Sequence, residues 1–162
     1  MGWRSAFLSQ ARSDNEVRRL LNKAGQPYCH ELHYLQMSAE KLAQAFMVDD
    51  TVSEAPELTH SAIVKFLRVL KTQPQLWRRM GYRDRGSFVA LIDSLLPMAQ
   101  FIQDLAPSIA GTTHPNPEYP WQIVHLQTVV SPCEFTFHEI ARYKIQMIKF
   151  DSLIEKLLNS EL

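Results

Sequence analysis

Apolar residues in this chain recur mostly at steps of three and four, the period of a helix with one buried face. From Trp3 to Ala24 the sequence is rich in helix formers and closes on Gly25 and Pro27, a C-cap followed by a stop. Ser13-Asp14-Asn15-Glu16 offers an alternative start for a second, shorter helix there. Between Cys29 and Met47, the residues Leu32, Leu35, Ala39, Leu42, Ala43 and Phe46 form one stripe. Asp49 to Pro56 reads as a polar loop. Thr59 to Lys71 predicts a third helix, capped by Thr59, with Ile63, Phe66, Leu67 and Leu70 inward.

A short helical piece follows Pro74, and Gly81 and Gly86 bracket a polar turn. Ser87 is the expected cap of a long apolar helix carrying Phe88, Leu91, Ile92, Leu95, Leu96, Ala99, Ile102 and Leu105 on one face. Pro97 inside it removes one amide donor and crowds the carbonyl of Asp93, which predicts a kink or two helices meeting. Pro107 to Pro120 is a proline-rich insertion. Ile123 to Val130 alternates like a strand, and one strand cannot make a sheet, so a small hairpin or an extended arm is expected over about 107–135. The last helix spans Phe137 to Asn159, with Ile140, Tyr143, Met147, Phe150, Ile154 and Leu157 as a bundle seam. Ile145, Ile148 and Leu153 lie off that seam, so this helix is either central or packed on a second subunit. The fold expected is all-α, a single domain over residues 1–162 built as a four- to five-helix bundle.

Composition agrees. The chain has 162 residues, 46% hydrophobic and 21% charged, which suits one core and excludes intrinsic disorder. Only 5 are glycine, which disfavours turn-rich sandwiches and glycine-loop cofactor folds, and no cofactor is implied. The N-terminus lacks the apolar stretch of a secretory signal, and Ala6 stands where a myristoylation signal needs Ser or Thr. No run of about 18 apolar residues marks a membrane span. The expected setting is therefore cytoplasmic, with Cys29 and Cys133 reduced and no membrane partner.

Candidate chemistry is sparse. Gly81-Tyr82-Arg83-Asp84-Arg85-Gly86-Ser87 has the glycine spacing of a phosphate-binding loop, but it lacks the lysine and follows no strand. Cys29 and His33, with Cys133 and His138, supply enough soft and imidazole ligands for a four-coordinate zinc, though in no standard spacing. Glu57-Leu58-Thr59-His60 is a lone Glu-x-x-His, where a carboxylate-bridged di-metal bundle needs two. Cys133 and His138 could pair as nucleophile and base, yet no protease or hydrolase motif surrounds them.

Charge is the stronger lead. The 17 basic and 17 acidic residues cancel, but residues 1–85 hold 13 basic and 9 acidic side chains and residues 86–162 hold 4 and 8. Lys65, Arg68, Lys71, Arg78, Arg79, Arg83 and Arg85 face only Asp84 in that stretch, with Trp77 and Tyr82 between them. Guanidinium and ammonium groups bind phosphates while aromatic rings offer stacking surfaces, a combination suited to RNA or nucleotides. The competing reading is a solvated face that pairs with the acidic half of the same chain or of a partner.

The second helix carries a family likeness. Gln36, Glu40, Lys41 and Ala45 match the QxxxEKxxKA helix of HEPN domains, with Gln44 where a lysine is common, and Thr59-His60 falls where many members have a Gly/Thr-His pair. The chain resembles these usually dimeric helical bundles over about 30 residues, and its long last helix fits theirs. The resemblance implies a homodimer whose seam uses the last helix and part of the Gln36–Ala45 helix. Many members are ribonucleases with an Arg-x(4–6)-His motif, and others bind only nucleotides or proteins. No Arg here precedes a His at that spacing. The expectation is thus a non-catalytic interaction module for RNA, nucleotide or a partner protein, in a defence or toxin–antitoxin setting. The alternatives are a ribonuclease with an atypical site from His60 or His138 with Arg78 or Arg142, and a zinc-stabilised structural domain.

Overall fold

A computed structural model of the chain describes residues 2–48 and 62–159. They are mostly helical, with one small two-stranded sheet. Helix α1 (Trp3–Lys23) runs without interruption through Ser13-Asp14, because Asp14 and Asn15 turn inward and are buried there rather than capping a new helix. Its end closes as the glycine predicts. Gly25 takes φ +62°, and the amides of Gln26 and Gly25 donate back to the carbonyls of Leu21 and Asn22 at 3.1 and 3.0 Å.

Helix α2 (Tyr28–Met47) presents the predicted stripe, with Leu32, Leu35, Ala39, Leu42 and Ala43 fully buried and Phe46 half-buried. Helix α3 (Ala62–Thr72) buries Ile63, Phe66, Leu67 and Leu70 as its spacing requires. The predicted loop at Asp49–Pro56 and the cap Thr59 lie outside the described residues. Helix α4 (Leu76–Arg79) follows a turn in which Gln75 adopts φ +65°.

Helix α5 (Arg85–Asp104) is capped by Asp84, not Ser87. Asp84 Oδ1 accepts from the Ser87 amide at 2.8 Å and Oδ2 from the Ser87 hydroxyl at 2.9 Å. Ser87 is thus the donor side of the cap. The helix continues unbroken through Pro97. Pro97 and Asp93 both face solvent, where water can serve the carbonyl that the proline leaves without a donor. Among the described residues α5 is the one helix long and apolar enough to cross a membrane, its best window reaching a mean hydropathy of 1.2. Here Phe88, Ile92, Leu95, Met98, Ala99 and Ile102 belong to the core instead.

The insertion is more ordered than its prolines suggest. It opens with a single helical turn, α6 (Pro107–Ala110). The loop beyond is organised by buried Asn116, whose Oδ1 accepts from the amides of Tyr119 and Glu118 at 2.6 and 3.1 Å. The single strand expected over Ile123–Val130 is two: β1 (Trp121–Ile123) pairs antiparallel with β2 (Thr128–Val130), Trp121 opposite Val130 and Ile123 opposite Thr128. Val124–Leu126 forms a 3₁₀ turn and Gln127 takes φ +50°, so the alternation was interrupted at its centre. Helix α7 (Lys144–Asn159) starts later than expected, because His138–Tyr143 is a 3₁₀ segment.

Helices α1–α5 and α7 all contribute to one core cluster. A second, smaller cluster of Cys29, Leu32, Leu105, Trp121 and Phe137 holds the hairpin arm against α2 and the end of α5. Trp121, Phe135 and Phe137 stack there, the Trp121–Phe135 and Phe135–Phe137 pairs edge to face at 4.9 and 5.0 Å. Phe150, Ile154 and Leu157 of the expected bundle seam are buried in the chain's own core, as is Leu153, and Gln36, Glu40 and Ala45 of α2 are buried as well. Ile145 and Ile148 are the large apolar residues that α7 leaves exposed.

Two clusters should respond differently to truncation. Phe66→Ala is expected to cost the bundle about 3–5 kcal/mol in urea unfolding. Trp121→Ala should instead admit limited proteolysis within residues 111–135 while the helical unfolding transition survives. A Trp121→Ala chain that loses its helical circular dichroism as Phe66→Ala does would show that the two clusters are one unit.

Candidate nucleic-acid interface

Of the seven basic residues between positions 65 and 85, Lys71, Arg78, Arg79, Arg83 and Arg85 lie where α3 ends, α4 turns and α5 begins, whereas Lys65 adjoins Val64, whose amide donates to Gln103 near the other end of α5. Apolar side chains dictate this. Burying Ile63, Phe66, Leu67 and Leu70 leaves Lys65 and Arg68 on the outer side of α3, where both are exposed. Leu76 and Met80 anchor α4 in the core, which turns Arg78 and Arg79 outward. Arg83 and Arg85 flank the Asp84 cap and are exposed as well.

One of the seven is neutralised locally. Lys71 Nζ lies 2.6 Å from Asp93 Oδ1 on α5. The other six, Lys65, Arg68, Arg78, Arg79, Arg83 and Arg85, have no carboxylate within ion-pair distance among the described residues. Of the acids beyond residue 86, Asp151 pairs with buried Arg18 at 2.7 Å and Glu155 with Arg19 at 3.5 Å, both on α1. Asp84 is occupied as the cap, and its hydrogen bonds to the Ser87 amide and hydroxyl hold its carboxyl below the usual carboxylate range. Self-pairing of the two halves therefore does not cover this corner.

The aromatic residues take different positions. The Arg78 guanidinium sits over the Trp77 ring at 4.8 Å, a cation–π contact on a half-buried indole. Tyr82 packs on Phe88 at 5.2 Å, and Lys156 Nζ of α7 lies 5.0 Å over its ring while donating to the Met80 carbonyl at 3.2 Å. Burial raises the Tyr82 phenol above its ordinary value. Tyr82 is thus a wall of the corner, and Trp77 is its better stacking surface. Beside it a cleft of about 390 Å³ is lined by Arg4, Phe46, Gln73, Pro74 and Arg79. Sequence reasoning missed Arg4 and Lys156, which reach the corner from the two ends of the chain and carry no local motif.

The atypical nuclease set does not come together with these residues. His138 and Arg142 are exposed on the 3₁₀ segment, and His138 lines a different cleft of about 530 Å³ with Phe101, Asp104, His114, Phe135, Phe137 and Glu139. Phe101 lies sixteen residues along α5 from Arg85, a rise of about 24 Å, so His138 and Arg78 belong to opposite ends of the bundle. His60 lies outside the described residues.

The zinc set does not assemble into a site either. No group of three or more His, Cys, Asp or Glu side chains is placed to hold a metal among the described residues. His33 turns toward the insertion, its Nδ1 3.6 Å from Glu118 Oε2, and burial lowers its pKa despite that carboxylate. Cys29 is buried in the aromatic cluster and Cys133 is exposed.

The QxxxEKxxKA residues act as ties within the chain. Gln36 Nε2 donates to the Ile102 carbonyl at 2.6 Å, and Lys41 Nζ lies 3.5 Å from Asp14 on α1. Comparisons with family models, with curated proteins and with solved structures find no match for this chain.

The Asp84 cap fixes where α5 starts, and its pH dependence has a definite sign. Its carboxyl is lower in the folded chain than in the unfolded one, so the stabilisation is present above the ordinary carboxylate value and is lost as pH falls through the folded value. Asp84→Ala should therefore melt earlier than the parent at pH 7, and the two melting temperatures should converge as pH drops below about 4. A gap that stays constant across this range would remove the cap from the account.

Proposed function

We propose that this chain is a non-catalytic, HEPN-like interaction module that binds RNA through the corner formed by α3, α4 and α5. The observation that carries this reading is the set of four exposed cations, Arg78, Arg79, Arg83 and Arg85, without an acidic partner among the described residues, beside a half-buried tryptophan. Cations left unpaired in a chain of balanced charge repel one another and gain when a polyanion docks. Phosphates are matched by the paired donors of guanidinium groups, and an indole offers a face to an unstacked base. The HEPN likeness of α2 adds the homodimer and the defence or toxin–antitoxin setting to the proposal.

No step of cleavage is assigned. General acid–base cleavage of RNA needs a histidine within reach of the bound phosphate and a cation to stabilise the charge that develops. The corner has the cations, and the described histidines lie elsewhere.

Fluorescence anisotropy with a labelled single-stranded RNA tests the reading. The parent chain should bind with an affinity that falls as salt rises. Arg78→Ala/Arg79→Ala should weaken binding and reduce the slope of log affinity against log salt by about 1.4, the counterion equivalent of two phosphate contacts on a single strand. Lys149→Ala on α7 should leave it unchanged. Binding that ignores the double substitution, or no binding at all, would overturn the assignment. RNA cleavage lost in His138→Ala would overturn the non-catalytic part, and a sedimenting monomer the dimeric part.

A further inference from the structure

Cys29 and Cys133 lie along one seam, away from the basic corner. Cys29 is the second residue of α2 and is buried among Leu32, Leu105, Trp121 and Phe137. Cys133 is the central residue of the 3₁₀ turn Pro132–Glu134, whose backbone packs against α2. Its side chain is exposed, with Sγ 3.0 Å from Ser131 Oγ. Residues on both sides of that turn, Val130 and Phe135, pack on the cluster that holds Cys29. The chain contains no third cysteine.

We propose that Cys133 and Cys29 are a peroxide-responsive pair that closes into a disulfide and fastens the hairpin arm to α2.

The two sulfurs are suited to different steps. Cys133 is open to solvent, with Ser131 Oγ 3.0 Å from its Sγ, so it meets the oxidant first. Burial holds the Cys29 thiol above its ordinary pKa, with the nearby Cys133 adding to that rise, so Cys29 stays protonated and inert until an electrophilic sulfur is delivered to it. In the first step the Cys133 thiolate attacks one oxygen of a hydroperoxide. The O–O bond breaks, the distal oxygen leaves as hydroxide and takes a proton, and Cys133 becomes a sulfenic acid, oxidised by two electrons. In the second step Cys29 attacks that sulfur. The S–S bond forms, the S–O bond breaks, and the hydroxyl departs as water with the Cys29 proton. With hydrogen peroxide the balance is two thiols and one peroxide giving one disulfide and two waters.

Joining positions 29 and 133 closes a loop that spans most of the chain, and a cross-link of that kind restricts the unfolded state strongly. Its local effect falls on the arm, which is otherwise held only by the smaller aromatic cluster.

The test treats the reduced full chain with one equivalent of hydrogen peroxide. The expected product is a monomer lighter by two hydrogens, with Cys29 and Cys133 peptides linked in a non-reducing digest, a higher melting temperature and full reversal by dithiothreitol. In Cys29→Ser the sulfenic acid at Cys133 should persist and be trapped by dimedone, whereas the parent should trap little. Cys133→Ser should leave Cys29 unmodified under the same treatment. Equal trapping in parent and Cys29→Ser, or covalent dimers through Cys133 in place of the internal bond, would overturn the proposal.

Discussion

The structure depends on how α2 packs along α1. Small residues set the approach: Ala11 of α1 and Ala39 and Ala43 of α2 are fully buried, so the two backbones can come close. At that contact the Ser38 hydroxyl donates to the Ala11 carbonyl at 2.9 Å inside the core. A buried hydroxyl without an acceptor would be costly, so this bond favours one helix register over its neighbours. Gln36 then ties α2 to the end of α5, and Lys41 ties it to Asp14 of α1. Leu35, Leu42 and Ala43 of α2 are fully buried in the core shared with α3 and α5. With the apolar side of each helix spent in this way, the cations of α3, α4 and α5 have only the outside left to occupy.

A second set of contacts explains why the basic corner stays charged. Arg12 donates from two nitrogens to the Leu158 carbonyl at 2.9 and 2.6 Å, serving the end of α7 where helical acceptors run out. Arg18, 6% exposed, is paired with Asp151. These bonds lock α7 to α1 and consume acids that would otherwise be available to the corner. The zero net charge is thus a balance reached by pairing at one place and leaving like charges together at another. Tertiary structure performs that sorting, and charge counts along the chain do not contain it.

The parts of the fold legible in the sequence are those with a strong local period. The stripe of α2 and the inward set of α3 were read residue by residue, because burial on one helical face leaves a repeat of three and four. Asp84 was passed over for Ser87 because either residue type can cap a helix and only the backbone decides which one is extended. A small hairpin was one of the two forms expected of the arm, but the place of its turn was hidden for a different reason. Its alternation continues straight through the turn, and Gln127, a residue with no special liking for positive φ, carries the reversal. The basic cluster was visible as a charge run, but its freedom from partners was not, since that depends on Asp93, Asp151 and Glu155 reaching across from other helices.

The two ends of α5 therefore carry unlike chemistry. Its first turn belongs to a solvent-facing corner built from charge, which screening by salt weakens. Its last turn belongs to an aromatic seam with two thiols beside it, where salt matters little and redox state matters more. They are separated by about 24 Å of helix, so no side chain spans them and neither can alter the other by direct contact. Coupling can run along α5 itself or through α2, which touches the seam through Cys29 and Leu32 and the core behind the corner through Leu42 and Phe46. Because the stripe of α2 from Leu32 to Phe46 is packed in the core, a shift of the arm reaches the corner by moving a helix as a rigid body. Fastening the arm constrains the seam and, in the absence of such a movement, leaves the charges at the other end where the core has put them.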